Sequence, residues 1–247
     1  MDSLKKISIV TLALSITACG QPIGTYSASE ENPPPGTTEA DLNAPVDGTD
    51  GLTPDRSADP VEKDPIENSQ TYFFPSYKAE FGIPRNIFDD AKKYYDQHWS
   101  SFENRRYVMI IDMGQHSSKK RFLLIDLKTG TYERHNVSHG SGSDTNNDGY
   151  AESFSNTEGS KKTSLGFYKT LYTYNGTHGR SLRLDGLSST NSNALARAIV
   201  VHGASYVSDS SGRAGRSWGC PALDEGIVQG VIDRVRNGAM MYIASSR

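Results

Sequence analysis

Ala198-Ile199-Val200-Val201-His202-Gly203-Ala204, continued at Gly215-Arg216-Ser217-Trp218-Gly219-Cys220-Pro221, is the stretch from which the fold is read. Its first four residues are apolar without alternation, the pattern of a strand covered on both faces. Such a strand needs neighbours in a sheet and a layer on either side. His202 falls at its end, where a side chain can be reached by a ligand and still be held rigidly. Cys220 follows 18 residues later, with small residues filling much of the interval.

A thiol near its free pKa of about 8.5 is only a few per cent thiolate at neutral pH, so a histidine that takes its proton makes it a working nucleophile. The pair is the raw material of cysteine acyl transfer. Taken alone, one Cys is equally well explained as a small buried apolar residue, and one His as a core or surface residue. The remainder of the chain decides between these readings.

Outward from this stretch the pattern is mostly strand, at 107–112, 121–127, 131–138, 165–174, 181–184, 198–202 and 239–244, with Lys128-Thr129-Gly130 as a hairpin turn. A helix over 86–99 places Ile87, Ala91, Tyr94, Tyr95 and His98 at helical spacing. A second, over 224–236, uses Asp224 as its cap and Ile227, Val228, Val231, Ile232 and Val235 as its buried face. The expectation is a mostly β fold with attached helices, a compact mixed β-sheet domain over 69–247 without solenoid repeats.

The N-terminus reads Met1-Asp2-Ser3-Leu4-Lys5-Lys6, then an apolar run over 7–16, then Thr17-Ala18-Cys19-Gly20. This is the layout of a secretory signal, too short for a stable transmembrane helix. Ile16-Thr17-Ala18-Cys19 resembles the lipobox of bacterial lipoproteins, which implies a signal peptide over 1–19 and lipidation at Cys19. Gly20 and Gln21 follow, without an Asp in second position. By the same resemblance, the protein is expected to be periplasmic and lipid-anchored at the outer membrane of a Gram-negative bacterium.

Residues 20–68 read as a disordered, acidic, Pro-rich tether containing Pro33-Pro34-Pro35 and too little apolar surface to offset its chain entropy. Over 30–68, eleven Asp or Glu face only Arg56 and Lys63, so the segment repels itself and extends. The chain total of −3 then leaves 69–247 at +5, a mild basicity suited to an anionic polymer. No nucleic-acid motif or dense basic helix accompanies it, so a nucleic-acid partner is not expected. If Cys19 carries lipid, Cys220 has no disulfide partner in an oxidising compartment, where an unpaired thiol is a liability unless it is used.

Further motifs run in order along the chain. They are Val137-Ser138-His139-Gly140-Ser141-Gly142-Ser143, Phe154-Ser155-Asn156, Gly159-Ser160, Ser164-Leu165-Gly166-Phe167-Tyr168, His178-Gly179-Arg180-Ser181-Leu182-Arg183-Leu184 and Arg197-Ala198-Ile199-Val200-Val201-His202-Gly203-Ala204. With His202-Gly203 and Ser217-Trp218-Gly219-Cys220, they make residues 72–243 resemble the bacterial L,D-transpeptidases, closest to the murein L,D-transpeptidase catalytic domain branch. The resemblance implies that Cys220 attacks the bond from the L-centre to D-Ala in a peptidoglycan stem, expels D-Ala and leaves a thioester that an amine of a second stem resolves. It makes His202 the general base, oriented by the carbonyl of Gly203, and puts an oxyanion hole at the N–H groups near Gly219 and Cys220. Peptidoglycan stem peptides are then the partner, and a monomer without a cofactor is expected.

Two positions depart from the family pattern. Trp218 stands where a His is usual, and Ala222 where an Arg is often found, so substrate anchoring must differ. Arg216 is either the replacement cation or a solvated loop arginine. His139 either lies beside the site or is structural, and Ser217 either orients the nucleophile or holds the loop. Asp144-Thr145-Asn146-Asn147-Asp148-Gly149 matches the first half of a calcium loop, but the twelfth position is Ser155 rather than Glu. It is read as a surface loop, with no metal expected.

The leading function is a transferase making 3-3 crosslinks, attaching a protein to the wall or exchanging the terminal D-amino acid. The alternatives are an L,D-carboxypeptidase using the same thioester, and a non-catalytic peptidoglycan-binding lipoprotein.

Overall fold

The computed structural model describes residues 72–210 and 212–247. The signal peptide, Cys19 and the tether expected over 1–68 lie outside the described residues. Ten strands and two helices follow in chain order. The strands are β1 (Tyr107–Asp112), β2 (Phe122–Asp126), β3 (Tyr132–His135), β4 (His139–Gly140), β5 (Gly166–Gly176), β6 (Gly179–Gly186), β7 (Val200–Gly203), β8 (Arg216–Ser217), β9 (Ala222–Leu223) and β10 (Met240–Ala244). Helix α1 (Arg85–His98) precedes β1, and helix α2 (Glu225–Val235) lies between β9 and β10.

Eight strands form one sheet in the order β3-β2-β1-β10-β5-β6-β7-β9, while β4 and β8 pair separately. β1 runs parallel to β10 and β7 parallel to β9, whereas the other neighbours in the large sheet are antiparallel, so the sheet is mixed.

Alternation of side chains along each strand sorts the apolar residues into two cores. Met109 and Ile111 of β1 join Leu124, Tyr168, Leu182, Leu184 and Met241 on one face, against Val228, Val231, Ile232 and Val235 of α2. Val108 and Ile110 point the other way and pack with Leu123, Ile125 and Met240 against Phe88, Ala91 and Tyr95 of α1. That second core draws nothing from β6 or β7. There the face opposite α2 carries Ser181 and Arg183 of β6, which alternate with Leu182 and Leu184, and Val200 and His202 of β7, which alternate with Val201.

The expected elements are present with shifted ends. The hairpin after β2 closes through Gly130 N–H to the Asp126 carbonyl, with Gly130 at φ 71°. β3 stops at His135 rather than Ser138 because Asp209 takes the Asn136 amide and the Asn136 side chain donates to the Ser208 carbonyl. β7 starts at Val200, since Ala198 turns into the left-handed region at φ 53°. β5 runs two residues past Tyr174, to Gly176, and carries an irregularity between Thr170 and Thr173. His98, placed on the buried face by its spacing, is exposed at the end of α1, and Phe88 is buried on that helix instead. Tyr94 is half-buried, stacked on Phe167 at 3.7 Å. β4, β8 and β9 are two residues each, too short for any periodicity to mark them.

Asp224 caps α2 by accepting the Gly226 N–H at 2.7 Å. Ile232 is fully buried beneath the sheet, whereas Ile227 is only half-buried at the margin of the same core. Ile232→Ala should therefore cost about 2–5 kcal/mol in urea unfolding, and Ile227→Ala clearly less. Equal losses would contradict the packing described for α2.

Candidate active site

The last residues of β7 and the two of β9 bring the histidine and cysteine segments together. His202 pairs with Ala222 and Gly203 with Leu223 in a parallel register, which sets Cys220, two residues before Ala222, beside the start of β7. There the Cys220 thiol donates to the Ala198 carbonyl at 3.8 Å, and the Val200 N–H stabilises the sulfur. Burial pushes the thiol pKa up, against the opposing pull of that N–H and of the positive charges of Arg197 and Arg183. A thiol in that state needs a base to remove its proton.

His202 is 2% exposed. Its Nδ1 lies 2.9 Å from the Gly203 carbonyl. A carbonyl only accepts, so Nδ1 carries the proton and Nε2 is the basic nitrogen. The ring stacks on His178 at 4.2 Å, which the turn between β5 and β6 presents. Gly203 lies close under α2, where a Cβ would come within 2.9 Å of Val228 Cγ1.

Two hydroxyls pin the turn that carries the thiol. Ser217 Oγ donates to the Cys220 carbonyl at 2.7 Å and accepts the Gly219 N–H at 3.1 Å. Ser138 Oγ donates to the same carbonyl at 3.1 Å and accepts the Ala222 N–H at 3.0 Å. Ser217 therefore holds the loop and, through it, the position of Cys220. The Gly219 N–H is already engaged, which leaves the Cys220 N–H as the donor of interest for an oxyanion. Gly219 has φ +122°, and a Cβ there would lie 2.7 Å from the Lys162 carbonyl. Only glycine fits both demands.

The remaining expected residues fall around this turn. Trp218 is half-buried under the Lys161 ammonium, 5.0 Å from its ring centroid. Arg216 donates to the backbone carbonyl of Asp144. His139 pairs with Arg216 across the β4–β8 ladder and is fully buried. Arg121, also fully buried, donates to His139 Nδ1 at 2.7 Å and to the carbonyls of Val137 and Gln115. Because a guanidinium only donates, His139 Nε2 carries the ring proton and gives it to Asp144 Oδ2 at 3.1 Å. Asp144 also accepts the amides of Asp148 and Gly149, so the carboxylate at the head of the calcium-like loop is spent inward.

Several residues of the site were not singled out by sequence. Ser138 stood in a quoted motif beside His139 without a role of its own. Arg197 donates to the carbonyls of Ser155 and Lys162 and lies against Gly219. His178 and Arg183 belong to a motif that was recognised without a role, although an arginine alternating with two leucines in a strand is itself a signal of a charged group held on a sheet face.

The L,D-transpeptidase catalytic domain family matches residues 80–244 of this chain. No curated protein matches it. Among solved structures the chain is similar to the helical cell shape determining protein Pgp2 from Campylobacter jejuni, at 13% identity over 57% of this chain and 48% of that one, TM-score 0.39. It is also similar to an L,D-transpeptidase from Mycobacterium smegmatis, at 14% identity over 56% of this chain and 58% of that one, TM-score 0.36. A third is the L,D-transpeptidase from Xylanimonas cellulosilytica, at 16% identity over 56% and 59%, TM-score 0.33. The chain thus spans about half to three-fifths of the length of these structures.

Burial holds the His139 pKa down at about 4; Asp144 opposes this and Arg121 and Arg216 reinforce it. The unfolded chain binds a proton at this residue near pH 6.5 and the folded chain does not, so this stability is present above that pH and is lost as pH falls toward 4. The loss should be on the order of 3 kcal/mol. Urea midpoints between pH 7 and 4 check it: His139→Gln should flatten that slope, and an unchanged slope would place the proton uptake elsewhere.

Proposed function

The chain belongs to the L,D-transpeptidase catalytic domain family, and from that premise we propose that it is a cysteine L,D-transpeptidase acting on peptidoglycan tetrapeptide stems. The observation that carries this reading is the β7–β9 register, which lays the half-buried Cys220 along the strand whose end holds a histidine with its Nδ1 proton tied to Gly203.

In the proposed reaction the Cys220 thiol leaves the Ala198 carbonyl and gives its proton to His202 Nε2. The sulfur attacks the carbonyl carbon of the L-centre to D-Ala bond, and the Cys220 N–H receives the developing oxyanion. Collapse breaks the C–N bond, and the D-Ala nitrogen leaves with the proton from His202. An amine of a second stem then attacks the thioester, returns its proton through His202 and releases the thiol. Contacts between a nucleophile and its base commonly tighten only when substrate is bound. Lipidation at Cys19 would place the reaction in the periplasm, and the segment over 20–68 would give the domain reach to the wall.

Incubating the full chain with a disaccharide-tetrapeptide and reading muropeptides by mass spectrometry tests this. Dimers that vanish with Cys220→Ala are expected, and His202→Ala should slow acylation roughly 10²–10⁴-fold. Tripeptide alone would make the protein an L,D-carboxypeptidase. Unchanged substrate would overturn the enzyme reading in favour of a binding protein.

A further inference from the structure

Among the described residues, the buried Arg183 has no carboxylate paired with it. Arg183 lies in β6 between Leu182 and Leu184, whose side chains enter the α2 core, so its own side chain stands on the opposite face. It is 6% exposed. The guanidinium carbon lies over the Tyr174 ring, 4.8 Å from the centroid, a cation–π contact that takes up none of its N–H groups in a hydrogen bond to a carboxylate. Its Nε has no hydrogen-bond partner among the described residues.

Its place in the sheet ties this group to the thiol. Arg183 pairs with Val200, the residue whose N–H meets the Cys220 sulfur, and it shares a sheet face with His202 two residues further along β7. The other arginine near the sulfur, Arg197, is committed to the carbonyls of Ser155 and Lys162. A buried charge without a partner is costly, and a guanidinium edge matches a carboxylate with two parallel hydrogen bonds. An anion supplied from outside completes such a site.

We propose that Arg183 binds a carboxylate of the donor peptide and so fixes which bond is presented to Cys220, an inference that rests on Cys220 being the acylated residue. Two carboxylates of a stem fit: the terminal carboxylate of the leaving residue, or a side-chain carboxylate on the third residue. They share the same chemistry, and selective amidation separates them.

The full chain, Arg183→Gln and Arg183→Lys are compared on a stem tetrapeptide with both carboxylates free, with the terminal one amidated, and with the third-residue one amidated. The wild-type kcat/KM should fall roughly 10–100-fold on amidation of one of the two, which names the source. Arg183→Gln should fall by a similar factor on the free acid and be indifferent to that amidation. Arg183→Lys, which keeps charge but not the fork, should lie between. An equal loss for Arg183→Gln on acid and amide overturns the proposal.

Alkylation of Cys220 by iodoacetate and by iodoacetamide provides a second measurement, read by peptide mapping so that Cys19 is scored separately. It stands even if no stem is turned over, in which case the transpeptidase reading fails alone. The ratio of the two rates in the wild type should exceed that for free cysteine by about tenfold and should drop in Arg183→Gln. A wild-type ratio equal to that of free cysteine overturns the proposal without recourse to any variant.

Discussion

Two residues of parallel pairing, His202 with Ala222 and Gly203 with Leu223, hold the chemistry of this domain together. Such a ladder is weak by itself, and the structure reinforces it from outside the sheet. The Cys220 carbonyl accepts from both Ser138 and Ser217, two hydroxyls that approach from different segments. Ser217 belongs to β8, which pairs with β4, and β4 rests on the buried Arg121–His139–Asp144 chain. The position of one thiol therefore depends on a charge network placed one layer behind it. A buried network of this kind must be satisfied throughout. It is: the neutral imidazole accepts from the arginine and donates to the aspartate.

The electrostatics around the sulfur are one-sided. Burial favours the neutral thiol, while Arg197 and Arg183 favour the thiolate. Of the two arginines, one is tied down by backbone carbonyls and the other stacks on Tyr174 with its Nε unpaired. The charges near Cys220 thus favour negative charge on its sulfur. Ala222 carries no charge, and the cations near the sulfur come from β6 and from the segment before β7 instead.

Much of this was legible in the chain. Unbroken apolar character marked β7, short apolar runs of β type marked β1 and β2, and helical spacing with an Asp cap marked α2. These signals come from long elements whose period is set by the core. What escaped was short or was decided by tertiary contacts. β4, β8 and β9 have no room for a period, and β7 loses its first two expected residues because Ala198 turns left-handed. His98 has helical spacing but falls at the exposed end of α1. The histidine and cysteine of the site were found because two rare residue types recur in one segment. Ser138, Arg183 and Arg197 were missed as site residues because their types are common and their roles depend on which strand lies beside them.

β1 feeds Met109 and Ile111 into one core and Val108 and Ile110 into the other, so each core forms part of the other's floor. Its partner on one side is β10, with Val108 opposite Met240. That contact closes a loop of more than half the chain, so it forms late and at a high entropic cost. Neither core can be finished while β10 is absent, which makes the two melt as one cooperative unit. Until residues 240–244 take their place, β3-β2-β1 and β5-β6-β7-β9 have no strand between them, and the sheet stays in two halves.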